Sequence, residues 1–135
     1  MSPELSDKLI LAYPDQFKNL TWIECGDGWF NILSRLCYIV DCHLVRKKKL
    51  NEPLDLFCWQ QIKEKFGGLR AYAYSADDFI KGAIEMAESM SYITCEVTGE
   101  KGKLRKQRKD EYGEPIPAWI KTLCDSEAEK EGYVV

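Results

Sequence analysis

The segment from Cys25 to Arg46, CGDGWFNILSRLCYIVDCHLVR, places Trp29, Ile32, Leu33, Leu36, Cys37, Val40 and Leu44 at i, i+3, i+4, i+7 spacing. It reads as one long helix with a single apolar stripe, capped by Asp27. Such a stripe must be covered by another element, and the rest of the chain has to supply the cover. Upstream, Ser2-Pro3-Glu4 is an N-cap followed by proline at the first helical position. Leu5, Leu9 and Ala12 keep helical spacing until Pro14 ends a short first helix. Asp15 to Glu24 reads as a connection anchored by Phe17, Leu20 and Trp22. The basic run Arg46 to Lys49 reads as a solvated helix exit, where cations suit the helix dipole.

After Pro53 the period changes. Phe57 to Phe66 and Leu69 to Tyr74 read as two strands, with Gly67-Gly68 as the tight turn between them. With the glycines at the turn, Phe66 faces Leu69, Lys65 faces Arg70, Lys63 faces Tyr72 and Gln61 faces Tyr74. One face then holds Cys58, Ile62, Phe66, Leu69, Ala71 and Ala73, with Glu64 among them, and is expected to meet the helices. The other holds Phe57, Gln61 and six candidate partner-binding residues: Trp59, Lys63, Lys65, Arg70, Tyr72 and Tyr74. Rings beside cations are how nucleotides and unpaired nucleic acids are held, bases stacking while cations meet phosphates. Like charges directly opposite each other cost about 0.2–1 kcal/mol, which an anionic partner would remove. The plain alternative is that lysine stems merely cover the rings. A phosphate-cradling P-loop is not what these glycines make, because a strand and not a helix follows them.

Ser75-Ala-Asp-Asp78 resembles a capping box, and Phe79, Ile80, Ala83, Ile84, Ala87 and Met90 form one apolar face of a third helix. From Thr94 the composition shifts to glycine, proline and charge. The cations between Lys101 and Lys109 read as a solvated loop, with an anion-binding element as the sharper alternative.

The predicted fold is therefore α+β: two N-terminal helices packed on a long antiparallel hairpin, a third helix and a β tail. It forms one domain over 1–135, with a core at 1–93 and a tail at 94–135. A chain of 135 residues, 45% apolar and 30% charged, can build one such core. The net charge of −3 argues against a protein coated in nucleic acid. No apolar run is long enough to span a bilayer and the N-terminus does not read as a secretory signal, so the cytosol is the expected compartment. The six cysteines fit free thiols there, since Cys37 falls in a helical stripe and Cys58 in a strand. Catalysis has little to work with. His43 is the sole histidine, no nucleophile or nucleotide motif occurs, and Glu64 between Lys63 and Lys65 reads as a structural acid. A non-enzymatic protein without a cofactor is expected.

Four blocks, CGDGWFNIL, IKEKFGGLRAY, CEVTGEKGKL and WIKTLC, occur in one order between Cys25 and Glu127. They resemble a family of small uncharacterised bacterial and phage proteins. Its pattern runs from a Gly-Trp helix start through K-E-K-F-G-x-L-R-x-Y to a C-x-x-C…C-x-x-C tail like a zinc ribbon. The resemblance implies a degenerate ribbon here, because Thr98 and Glu127 stand where the second thiolate of each knuckle would be. No metal is expected, and packing by Trp119, Ile120 and Leu123 should hold the tail instead. The family carries no function that transfers; small size, the lack of catalytic groups and the family's phage members together point to a phage- or mobile-element protein with a binding role: capture of a host protein or an anionic ligand such as a nucleotide signal, for example to inhibit a defence system. The alternative is an accessory protein that binds nucleic acid.

Overall fold

The computed structural model describes residues 1–53 and 56–135, and the fold is α+β. Helix α1 (Pro3–Ala12) begins as its sequence requires, with the Ser2 hydroxyl accepting the Leu5 N–H at 3.4 Å and proline at the first helical position. A short strand β1 (Ile23–Glu24) follows, then a 3₁₀ turn at Asp27–Trp29 that leads into α2 (Phe30–Lys49). The expected stripe is inside: Trp29, Leu33, Leu36, Cys37 and Val40 are buried. Asp27, however, does not cap α2. Its carboxylate accepts the Ser2 N–H at 2.6 Å and so pins the start of α1 to the start of α2.

Strands β2 (Cys58–Lys65) and β3 (Gly68–Tyr74) form the hairpin, and β1 runs parallel to β2 on the far side, giving the order β1-β2-β3. The turn lies one residue earlier than expected. Phe66 and Gly67, at φ +53° and +80°, occupy its centre, so Lys65 pairs with Gly68, Glu64 with Leu69 and Lys63 with Arg70. Two residues at positive φ match the twist of a hairpin. Gly68 is needed elsewhere, because the Tyr92 ring sits where its Cβ would be. Since the pairing moves by two positions, the faces survive, but Phe66 leaves the core for the tip, where it is 57% exposed.

Helix α3 (Asp78–Ser91) is capped by Asp77 and not by Ser75, which has φ +58°. It packs with α2 over one face of the sheet around Ile62, Leu69, Ala71, Ile80 and Ala87. It also closes the sheet edge. The outward N–H groups of Leu69 and Ala71 donate to Ser91 Oγ (2.8 Å) and Glu88 Oε2 (3.0 Å), which removes a template for strand addition.

The cationic stretch expected as a loop is a strand, β4 (Lys103–Lys109), paired antiparallel with β5 (Pro115–Leu123) and followed by a short α4 (Asp125–Lys130). The tail's core is Cys95, Leu123, Cys124, Ala128 and Tyr133. Trp119 is 66% exposed and Ile120 only partly buried, so of the three expected anchors Leu123 alone is fully inside. The tail docks on the core through backbone. Gly28 N–H donates to Glu96 O (2.7 Å), Trp29 Nε1 to Thr94 O (2.9 Å), and Thr122 Oγ1 to Gly67 O (2.6 Å). Among the described residues no helix is long and apolar enough to cross a membrane.

Candidate functional site

The two helices cover one face of the three-stranded sheet; on the other, among the described residues, Glu24, Lys65, Tyr72 and Tyr74 are exposed. Side chains alternate along a strand, so burying Ile62, Leu69 and Ala71 sends Gln61, Lys63, Arg70 and Tyr72 outward. The parallel pairing of Ile23 with Ile62 and Glu24 with Lys63 extends this face. A row Glu24, Lys63, Arg70 crosses all three strands. Beside it, Trp22 (70% exposed) and Tyr72 (44% exposed) line a shallow depression of about 550 Å³ together with Leu20, Glu24, Gln60, Gln61 and Lys63. The Lys63 ammonium lies 5.9 Å from the centre of the Tyr72 ring.

Of the six expected residues, Lys63, Arg70 and Tyr72 come together on this face, and Lys65 and Tyr74 lie towards its two ends, both exposed. Lys65 leans over Phe66 instead of opposing Arg70, its ammonium 5.7 Å from that ring. Arg70 is committed to the fold. It donates to its neighbour's carbonyl, Leu69 O, and to the Tyr92 hydroxyl, each at 2.9 Å, tying β3 to the end of α3.

Trp59 is not part of the face. A bulge between Trp59 and Gln61 inserts Gln60 and reverses the alternation, so Trp59 points into the core. There its Nε1 donates to Gln16 Oε1 at 3.0 Å and its ring meets Phe57 edge-on at 5.0 Å. The signal was present in the sequence: Trp59 and Ile62 are both apolar, yet their odd spacing puts them on opposite faces of a regular strand. Trp22, expected as an anchor, is the residue that sequence reasoning missed. Its own signal was Ile23: if that residue is buried, period two turns Trp22 outward.

A second polar cluster joins the helices. His43 Nε2 lies 2.6 Å from Asp77 Oδ2, Lys47 Nζ 3.3 Å from the same oxygen, and Arg46 3.2 Å from His43 Nδ1. A guanidinium only donates, so Nδ1 accepts and Nε2 carries the proton given to Asp77. The ring also stacks on Phe79 at 4.2 Å. Both nitrogens are therefore engaged, and the cluster fastens α2 to the cap of α3. Burial raises the Asp77 carboxyl, but the bonds from His43, the Ile80 N–H and Lys47 outweigh it and hold the group at about 2.

In the tail Cys95 and Cys124 share one buried cluster, with Thr98 and Ser126 beside Cys124, yet these donors do not suit zinc. Thr98 Oγ1 and Ser126 Oγ lie 3.7 and 3.3 Å from Cys124 Sγ, while the Glu127 carboxylate is paired with Lys130 at 2.6 Å. Two thiols and two hydroxyls are not the four strong ligands of a structural site. Among the described residues no three His, Cys, Asp or Glu side chains are placed to hold a metal ion.

Compared with protein-family models, with curated proteins and with solved structures, the chain matches none.

Proposed function

We propose that this chain is a binding protein whose exposed sheet face takes a nucleotide. The observation that carries the reading is the depression itself: Trp22 and Tyr72 are exposed and line it together with Gln61 and Lys63. Exposing two large rings on a sheet is costly unless something stacks on them, and its volume suits a ligand of nucleotide size. A base stacked on these rings would set phosphate near Lys63 and Lys65. Gln61 and Glu24 would meet its polar edge, with Glu24 accepting from an amino or hydroxyl group. Capture of a host nucleotide signal fits such a face without chemistry. A second reading, unpaired nucleic acid running along the same face, draws on the exposed Lys103, Lys106 and Lys109 of β4.

Titration of the purified chain with a panel of mono-, di- and cyclic nucleotides tests both. Tryptophan emission should change on binding, and W22A and Y72A should each weaken binding at least about tenfold, the usual scale for a lost base stack. Their melting temperatures should stay close to that of the parent. Oligonucleotide binding that falls steeply with salt, together with loss on changing Lys103 and Lys106, would favour the second reading. Binding unaffected by W22A and Y72A would remove the face from consideration.

A further inference from the structure

The six cysteines are free thiols, and their surroundings sort them sharply. Burial pushes Cys25 and Cys37 up to about 12, which makes them inert at neutral pH. Cys58 is buried against Asn19, and Cys42 is exposed on α2. Cys95 and Cys124 differ from these. The bond from Glu96 N–H to Thr122 O (3.0 Å) lays the first knuckle along the end of β5, which brings Cys95 beside Cys124 in one buried cluster. Around the Cys124 sulfur stand the hydroxyls of Ser126 (3.3 Å) and Thr98 (3.7 Å). Cys124, 6% exposed, borders a surface depression lined by Glu100, Lys101, Lys103, Asp125 and Ser126, through which a molecule as small as a peroxide would approach it.

We infer that Cys124 and Cys95 form a peroxide-sensitive dithiol, Cys124 the attacking thiol and Cys95 the resolving one. Both hydroxyls can donate to this sulfur and so stabilise its thiolate. Cys124 is held below its ordinary value by Ser126 first, then the Glu127 N–H, with burial opposing and Thr98 and Cys95 adding to the effect. The thiolate attacks one oxygen of hydrogen peroxide, the O–O bond breaks, and hydroxide leaves. Cys124 becomes a sulfenic acid, oxidised by two electrons, and the peroxide is reduced. The Cys95 proton passes to that hydroxide to give water. The Cys95 thiolate then attacks the Cys124 sulfur, the S–O bond breaks, and the departing hydroxide takes a proton from solvent as a second water. The product is a disulfide that clamps the first knuckle to the junction of β5 and α4.

The full, reduced chain treated with one equivalent of hydrogen peroxide, quenched by alkylation and mapped by peptide mass spectrometry tests this. The expected product is a Cys95–Cys124 linked peptide, formed while the more exposed Cys42 is still largely alkylated. In C95S, a 1,3-dione probe should label Cys124 as sulfenic acid. Cys42 consumed as fast as Cys124, or Cys124 oxidised in the parent chain without linkage to Cys95, would overturn the assignment. Both overturning outcomes are read in the parent protein, so they do not depend on the folding of C95S.

Discussion

Asp77 does three jobs with one carboxylate: it caps α3 through the Ile80 N–H at 2.9 Å, accepts from His43 and pairs with Lys47. Its folded value, about 2, lies below the ordinary 3.8, so it is a group whose depressed pKa adds stability above the unfolded value. That contribution is present at neutral pH and is lost as pH falls from about 4 through 2. Partial exposure discounts it to roughly 1–2 kcal/mol. D77A should therefore cost about 1–3 kcal/mol at pH 7, with the cap lost as well. D77N keeps a capping oxygen and should cost less, while flattening the stability curve between pH 4 and 2. Urea unfolding at several pH values checks both. An unchanged acid limb in D77N would show that the cluster carries no net charge energy.

At the level of elements, the β2–β3 hairpin is built around a compromise. Phe66 holds φ +53°, a conformation unfavourable for a bulky residue, because Gly68 is needed against Tyr92. F66N should relieve this and raise stability by about 0.5–1 kcal/mol, at the cost of a solvent-exposed contact with Lys65. Gly67 has the opposite constraint. It sits at φ +80°, and a Cβ there would come 2.6 Å from Leu104 Cδ1 of β4. G67A should cost about 1–3 kcal/mol by straining the turn and pushing β4 away. Thermal melts of the two variants should move in opposite directions. A gain from both would mean that the tip does not bear on the tail.

For the whole molecule, the question is whether the tail is an appendage or part of one cooperative unit. Gly26 and Gly28 meet the Cys95–Glu96 backbone so closely that neither has room for a Cβ, and Gly99 packs back on Gly28. The Trp29 indole, at the centre of the core, donates to Thr94 at the start of the tail. The chain should thus unfold in one transition, with far-UV circular dichroism and tryptophan emission giving the same midpoint. G28A should lower both midpoints together. A tail that melted separately in the parent would show the docking to be weak, and G28A would then shift the tail's transition alone.

The sequence by itself determined what depends on neighbouring residues. The 3.6-residue stripe of α2, the Ser2-Pro3 start of α1, the change of period after Pro53 and the α+β class all follow from it, because caps and periodicity are energies between residues a few positions apart. It also determined the polarity of most of the hairpin, since alternation survives a shift of two in the pairing. The tertiary structure decided the rest. Gly68 was required by Tyr92, and that contact moved the turn. The bulge at Gln60 turned Trp59 inward, where Gln16 takes its N–H. The parallel pairing of β1 brought Trp22 to the exposed face, and the glycines of CGDGW proved to be the seat of the tail. Each of these rests on a close approach between residues distant in the chain. Such an approach is set by where packed elements come to rest, and no local energy along the sequence records it.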